Sequence, residues 1–283
     1  MRTSIDIATL AGSAVNEDRA GAEGTLAWVI DGATDVLEAP LTQGPSDASW
    51  FAETLDLALK ELAHAPPADL AELPSVLAEH ARQEFELAVL REPAGRHEHP
   101  SATGVIVRIE KGGALNFVSI GDCALLIASN EGVSRIGVDG NDAGDPWVAD
   151  AMRAFRAQRP DAPAADARAD LWPKLRAGRA GMNMPQGYGV FSITQTPPHF
   201  VRSGAHTIAP GARVLLASDG LMRLVDIFRR YTNQELFEAI IARGLSDLVE
   251  ELRALEHEDA DCVAFPRAKR HDDASGLLIR FED

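Results

Sequence analysis

Two stretches of the chain follow one restrictive pattern. Val214-Leu215-Leu216-Ala217-Ser218-Asp219-Gly220-Leu221 and Leu26-Ala27-Trp28-Val29-Ile30-Asp31-Gly32 are apolar runs that each end in Asp-Gly. Runs of this length and composition suit buried strands. A carboxylate at the tip of such a strand is unfavourable unless its charge is compensated. Glycine at 220 also lets the chain leave in a conformation that a Cβ would forbid. The pattern therefore asks for a fold in which two strand ends bring Asp31 and Asp219 together over the edge of one core.

Around these strands the periodicity changes several times. Residues 3–10 read as a strand leading to Gly12, and the polar segment Gly12-Ser13-Ala14-Val15-Asn16-Glu17-Asp18-Arg19 follows. Trp50, Phe51, Leu55, Ala58, Leu59 and Leu62 recur at helical spacing, with Ser46 and Asp47 as candidate N-caps and Pro66-Pro67 as the stop. A second helix over about 74–91 turns Val76, Leu77, His80, Ala81, Phe85, Ala88 and Val89 inward. Residues 103–109 and 114–120 predict a hairpin across Lys111-Gly112-Gly113, and 124–128 and 133–136 another across Asn130-Glu131-Gly132. Where these meet, Gly121-Asp122 repeats the pairing of strand and carboxylate a third time.

Order weakens over about 137–188, a Gly-, Asp-, Pro- and Ala-rich insert with one amphipathic piece near 146–159. Extended structure returns at 189–193 and 205–209, helices are predicted over 233–243 and 246–256, and a last strand over 274–281 follows His271-Asp272-Asp273. Helices set between antiparallel hairpins indicate an α+β layered sandwich rather than a doubly wound parallel sheet. No internal repeat or linker divides the chain, so residues 1–283 are expected to form one domain.

Composition narrows the function classes. With 46% hydrophobic and 25% charged residues over 283 positions, a substantial core is available without disulfides or structural metal. A net charge of −16 argues against nucleic acid or an anionic membrane as partner. The two cysteines, Cys123 and Cys262, make neither a disulfide framework nor a thiolate cluster. The segment Met1-Arg2-Thr3-Ser4-Ile5-Asp6 has no apolar leader character, and there is no run of 18 apolar residues, so a cytoplasmic location is expected.

Asp18, Asp31, Asp122, Asp219 and Asp272 all lie beside apolar strands. Oxygen donors of this kind suit hard divalent ions such as Mg²⁺ and Mn²⁺, whereas zinc would favour His and Cys. Two such ions lower the pKa of a bound water towards about 7 and clamp a phosphoryl group for in-line attack, so no side-chain nucleophile is needed.

Taken as a set, Asn16-Glu17-Asp18, Val29-Ile30-Asp31-Gly32, Thr103-Gly104-Val105-Ile106-Val107, Val118-Ser119-Ile120-Gly121-Asp122, Leu216-Ala217-Ser218-Asp219-Gly220-Leu221 and Asp272-Asp273-Ala274-Ser275 resemble the metal-dependent Ser/Thr protein phosphatases of type 2C (the PPM family), in their bacterial form. The resemblance spans nearly the whole chain in the family's order. It implies a four-layer αββα sandwich of two antiparallel sheets flanked by helix pairs. It implies Mn²⁺ or Mg²⁺ as cofactor, two ions with a third in bacterial members. Asp31 would bridge both ions and the Gly32 carbonyl would bind one; Asp219 and Asp272 would complete the first site. Asp31, Asp219 and Asp272 would thus be catalytic, Asp122 with Asp219 would form the third site, and Asp18 and Glu17 would hold ion-bound waters. The implied activity is hydrolysis of phosphoserine and phosphothreonine in a protein partner, within a Ser/Thr kinase signalling system.

Several positions depart from the family's pattern. Ser13 stands where members carry the Arg that grips the substrate phosphate, Ala33 replaces a His, Thr34-Asp35 replaces Gly-Gly, and Cys123-Ala124 replaces Ser-Arg. These departures support an alternative, a catalytically weak pseudophosphatase that binds phosphoproteins, and a further one, a small-molecule phosphatase of the same fold. Arg176, Arg179 and Asn183 offer a substitute phosphate clamp, since Arg binds phosphate through two parallel hydrogen bonds. A solvated loop edge is the competing reading. His97 and His99 read as solvated loop residues, His271 as a surface residue or a proton donor beside Asp272, and Cys123 as a small buried filler.

Overall fold

The computed structural model describes residues 2–110, 113–129, 132–137, 146–160, 162 and 164–282. Strands β1 (Arg2–Leu10), β2 (Asp18–Glu23) and β3 (Leu26–Gly32) lead into helices α1 (Asp47–Leu62) and α2 (Leu73–Ala88). Four strands follow, β4 (Ser101–Ile109), β5 (Ala114–Ile120), β6 (Ala124–Ser129) and β7 (Gly132–Ile136), then helices α3 (Pro146–Gln158) and α4 (Ala164–Arg179). Next come β8 (Phe191–Ser192), β9 (Arg202–Thr207) and β10 (Arg213–Ala217), helices α5 (Asp219–Asp226), α6 (Asn233–Arg243) and α7 (Leu245–Glu258), and β11 (Ala274–Glu282).

The strands form two sheets, in the orders β1-β11-β10-β6-β7 and β2-β3-β4-β5-β9, with the short β8 paired to β4. Every pairing between them is antiparallel. Strand alternation then builds four layers. Along β3, Leu26, Trp28 and Ile30 pack on Phe51, Leu55 and Leu59 of α1 and Leu77 and Ala81 of α2. Ala27 and Val29 face the other way, into a core shared with Val214 and Leu216 of β10 and Leu277 and Ile279 of β11. On the far side of β10, Leu215 and Ala217 meet Leu221 and Leu224 of α5, Ile240 of α6 and Leu248 and Leu252 of α7. Each of these large side chains contributes roughly 1.5–3 kcal/mol on full burial. The result is the α+β, four-layer αββα sandwich that the sequence predicts.

Local signals account for most element ends. The Ser46 hydroxyl accepts from Ser49 N and caps α1, and Thr232 and Glu235 form a reciprocal capping box on α6. Some expectations are corrected. Helix α2 takes its phase from Leu73, Leu77, Ala81 and Phe85, which turns Val76 outward, and it ends at Ala88 with Val89 already extended. The insert is more ordered than its composition suggests. Helix α4 runs through Pro173, whose ring would normally end a helix. The segments 111–112, 130–131 and 138–145, on which two turns and part of the insert were expected, lie outside the described residues.

Candidate active site

Register decides which carboxylates meet. β2 pairs with β3 so that Asp18 stands directly opposite Asp31, and β4 places Thr103 opposite Asp31 on its other side. Thr103 Oγ1 donates to Asp122 Oδ1 at 2.8 Å, which draws the residue after the Gly121 turn into the same space. Asp31 follows Ala27 and Val29 on the face that looks towards the second sheet, so this cluster lies at the mouth between the sheets.

The second sheet delivers Asp219 and Asp272. β10 ends at Ala217, and α5 begins at Asp219, so the apolar run turns straight into a helix. Gly220 is needed there for space rather than for an unusual backbone angle. A Cβ at this position would lie 1.8 Å from the Asp273 carbonyl oxygen. That close approach carries the start of α5 onto the segment that holds Asp272. Gly32 works in the same way: a Cβ there would lie 2.5 Å from Glu17 O, and Gly32 N donates to that oxygen at 3.1 Å.

Asp273, to which the sequence assigns no role, clasps the first loop to the last strand. Its Oδ1 accepts from Gly12 N and its Oδ2 from Glu17 N, both at 2.6 Å. Glu17 is held in turn by the Thr34 hydroxyl at 2.6 Å and the Ser46 hydroxyl at 2.7 Å. The N-cap of α1 therefore also orients the first loop of the site.

Electrostatics show how tightly the aspartates are gathered. Asp18 is 2% exposed, and its Oδ2 has no hydrogen-bond partner among the described residues. Burial pushes its carboxyl well above the usual range, and Asp273 and Asp219 push it further. Asp31 is raised well above the usual range by burial and by Asp18, Asp219, Asp122 and Asp272. Asp219 is pushed up to about 7 by burial, then by Asp272 and Asp122. Asp122 is raised by burial against the opposing Thr103 hydrogen bond. Asp31, Asp122 and Asp219 keep some open surface, but protein packs round the rest of each group, so desolvation still dominates.

Asp272 behaves differently. Lys269 Nζ donates to its Oδ1 at 2.7 Å and Arg223 Nη2 to its Oδ2 at 2.5 Å. Burial raises its carboxyl, but Lys269 and Arg223 outweigh that and hold it at about 2. Arg223 projects from α5 and also binds Glu256 Oε1 at 2.8 Å. Neither cation is marked by a sequence motif. Arg223 sits at an ordinary helical position, and Lys269 lies in the loop before β11.

All the aspartates named from the sequence thus interact at one end of the sandwich, although Asp272 is drawn towards two cations. Among the described residues, no three His, Cys, Asp or Glu side chains stand together as a ready-made ligand set. The donor chemistry nonetheless fits a hard divalent ion. It offers carboxylate oxygens, several of them raised by burial and mutual repulsion, and a buried Asp18 oxygen with no partner among the described residues.

The remaining candidates separate. Ser13 is exposed, and among the described residues its hydroxyl bonds within its own turn, to Val15. Arg19 is tied to Glu53, Asn16 O and Asp18 O. Arg179, at the end of α4, reaches the site margin, where it donates to Thr34 O at 2.6 Å and Ser101 Oγ at 3.3 Å. Arg176 points to Glu38, and Asn183 closes a local turn through Val190. His271 packs edge-on against His257, ring centres 4.7 Å apart. Cys123 is fully buried in the core between the sheets, where burial drives its thiol well up.

No protein-family model matches this chain, and no curated protein matches its sequence. Solved structures do match it along its whole length. The serine/threonine phosphatase PstP/Ppp of Mycobacterium tuberculosis superposes with a TM-score of 0.58 at 17% identity, covering 99% of each chain. The catalytic domain of PstP in complex with two manganese ions gives 0.57 at 17% identity, again over 99% of each chain. The PPM Ser-Thr phosphatase MsPP from Mycobacterium smegmatis gives 0.52 at 18% identity, over 99% of this chain and 98% of its own. At these identities the likeness establishes the fold: this chain has the fold of the PPM-type bacterial Ser/Thr phosphatases.

Proposed function

We propose that this chain is a metal-dependent phosphoprotein phosphatase that hydrolyses phosphoserine and phosphothreonine esters. The observation that carries this reading is the gathering of Asp18, Asp31, Asp122 and Asp219 at one mouth of the sandwich, with burial and then mutual repulsion raising their carboxyls and one Asp18 oxygen unpaired among the described residues. A buried cluster of that charge requires cations or protons. Asp31, Asp219 and Asp272 would hold Mn²⁺ or Mg²⁺ at the centre, with the Gly32 carbonyl beside Asp31, and Asp122 with Asp219 would take a third ion. When bound, such ions activate water and neutralise charge on the phosphoryl group.

The chain's own residues position what surrounds the ions. Asp18 and Glu17 orient water, Asp18 through its free oxygen and Glu17 from the fixed carboxylate that Thr34 and Ser46 hold. Residues 1–283 act as one catalytic domain, with the insert over about 137–188, which carries α3 and α4, as its flap. The partner is a phosphorylated protein, in a system with a Ser/Thr kinase. No helix among the described residues is long and apolar enough to cross a membrane.

A second reading has its own support. Ser13 supplies no cation to grip phosphate, and Asp272 is already bound by Lys269 and Arg223. Both features suit a catalytically weak pseudophosphatase that binds phosphoproteins. Turnover of a phosphothreonine peptide with Mn²⁺ separates the two. Hydrolysis that disappears with chelator and falls at least about a hundredfold in Asp31→Asn supports the phosphatase. Tight phosphopeptide binding without turnover at any Mn²⁺ concentration supports the pseudophosphatase.

A further inference from the structure

Lys269 is one of only four lysines in the chain, and its ammonium meets the aspartate cluster at Asp272. It is held from two directions, by Asp272 Oδ1 and by Thr34 Oγ1, each at 2.7 Å. Thr34 donates its own proton to Glu17 Oε2 at 2.6 Å, so its oxygen lone pairs are turned towards the lysine. Arg223 takes the other Asp272 oxygen. Among the described residues, Asp272 thus has both carboxylate oxygens hydrogen-bonded by cationic side chains, while one Asp18 oxygen has no partner.

We propose that Lys269 is a built-in competitor of the metal ion: it occupies the Asp272 oxygen that a divalent ion would take, and ion binding there requires its release. This inference rests on the metal-dependent reading above. The two cations on Asp272 differ in mobility. Arg223 has a side chain only 7% exposed and is fixed by Glu256, which is fully buried. Lys269 is 27% exposed on its side chain and has a flexible stem, so it can swing towards solvent. Ion binding at Asp272 therefore breaks the lysine contacts and leaves the arginine contacts in place. Because the Lys269–Asp272 pair is partly screened by water, the competition weakens ion binding by roughly fivefold rather than abolishing it.

The test is calorimetric titration of Mn²⁺ into chelator-stripped wild type, Lys269→Gln and Lys269→Arg, each checked for folding by circular dichroism. Lys269→Gln should bind its Asp272-dependent ion roughly fivefold more tightly, and Lys269→Arg should stay near wild type because the charge is retained. In parallel, ¹⁵N spectra of the lysine ammonium groups during Mg²⁺ titration should show the Lys269 signal, assigned by its loss in Lys269→Gln, change over the range where Mg²⁺ binds. Equal or weaker Mn²⁺ binding by Lys269→Gln, or a Lys269 signal unmoved by saturating Mg²⁺, overturns the competition and leaves the metal reading standing. No saturable Mn²⁺ binding in any of the three proteins overturns both.

Discussion

Asp18 on β2 and Asp31 on β3 stand directly opposite each other in the antiparallel register. Like charges in that relationship repel, and here burial presses both partners, with further aspartates adding to it: Asp273 and Asp219 on Asp18, and Asp219, Asp122 and Asp272 on Asp31. A soluble fold without a use for this arrangement would be more stable with one of the two replaced. The pair is the structural signature of the site, and it makes the first prediction.

Asp18→Asn supplies an amide donor that can bond to Asp31 and removes one buried charge. In the presence of chelator at pH 7.5, urea denaturation should show this variant more stable than wild type by about 1 kcal/mol. Adding Mn²⁺ should stabilise wild type more than the variant. Equal stability without metal would mean that the two carboxylates do not share one space.

The raised carboxyls also set a pH dependence for the chelated protein. Asp219 has a folded-state pKa of about 7, against about 3.9 for an unfolded aspartate. Between those values the folded state holds more protons than the unfolded state. Stability from this group is therefore fully present below about pH 4 and is lost as pH rises through about 7. Asp18 and Asp31 are shifted the same way. Asp272 has the opposite sign: held at about 2, its contribution is present above about pH 4 and lost as pH falls through about 2. Melting temperature in chelator should therefore fall from pH 5 to pH 8, and Mn²⁺ should flatten that fall. A melting temperature that rises over this range without metal contradicts the assignment.

Gly220→Ala pits two effects against each other. The residue lies in helix α5, where alanine is favoured over glycine by up to about 1 kcal/mol. The new Cβ would meet the Asp273 carbonyl oxygen at 1.8 Å, which neither backbone can relieve without moving. The clash should win, with a net loss of about 1–3 kcal/mol in urea denaturation and weaker Mn²⁺ binding. A stabilised variant would show that the approach of α5 to the Asp272–Asp273 segment is not close.

Arg223→Met removes a buried cation shared by Asp272 and Glu256. Breaking a buried pair from one side costs about 3–5 kcal/mol, and Arg253, which still holds Glu256, limits the loss to the lower end. Thermal denaturation should show a clear drop, and the Asp272 pKa should rise part of the way, since Lys269 still holds it down. An unchanged melting temperature would argue that Arg223 contributes no net stability.

The aspartates were legible from sequence because each sits at a boundary that sequence marks well. Asp31 and Asp219 end long apolar runs, Asp122 follows a glycine between two strands, and Asp272 precedes the last strand. The layers were legible for the same reason, since alternation in β3 and β10 and helical spacing in α1 name their own faces. Arg223 and Lys269 were not legible. What makes them part of the site is contact across 49 and 3 positions with Asp272, and neither spacing carries a motif. The role of Gly220 was misjudged because sequence shows that glycine is needed but not whether the reason is backbone angle or close approach. Helix α4 was missed because Pro173 masks an otherwise alanine-rich stretch.

The central claim is that these aspartates hold divalent ions. It is tested most directly by soaking a crystal in Mn²⁺ and recording anomalous scattering at the manganese edge. The account predicts at least two peaks, both in contact with Asp31 oxygens and one also with Asp219. A map without peaks at the aspartate cluster, from protein that is folded and fully exposed to Mn²⁺, would contradict it.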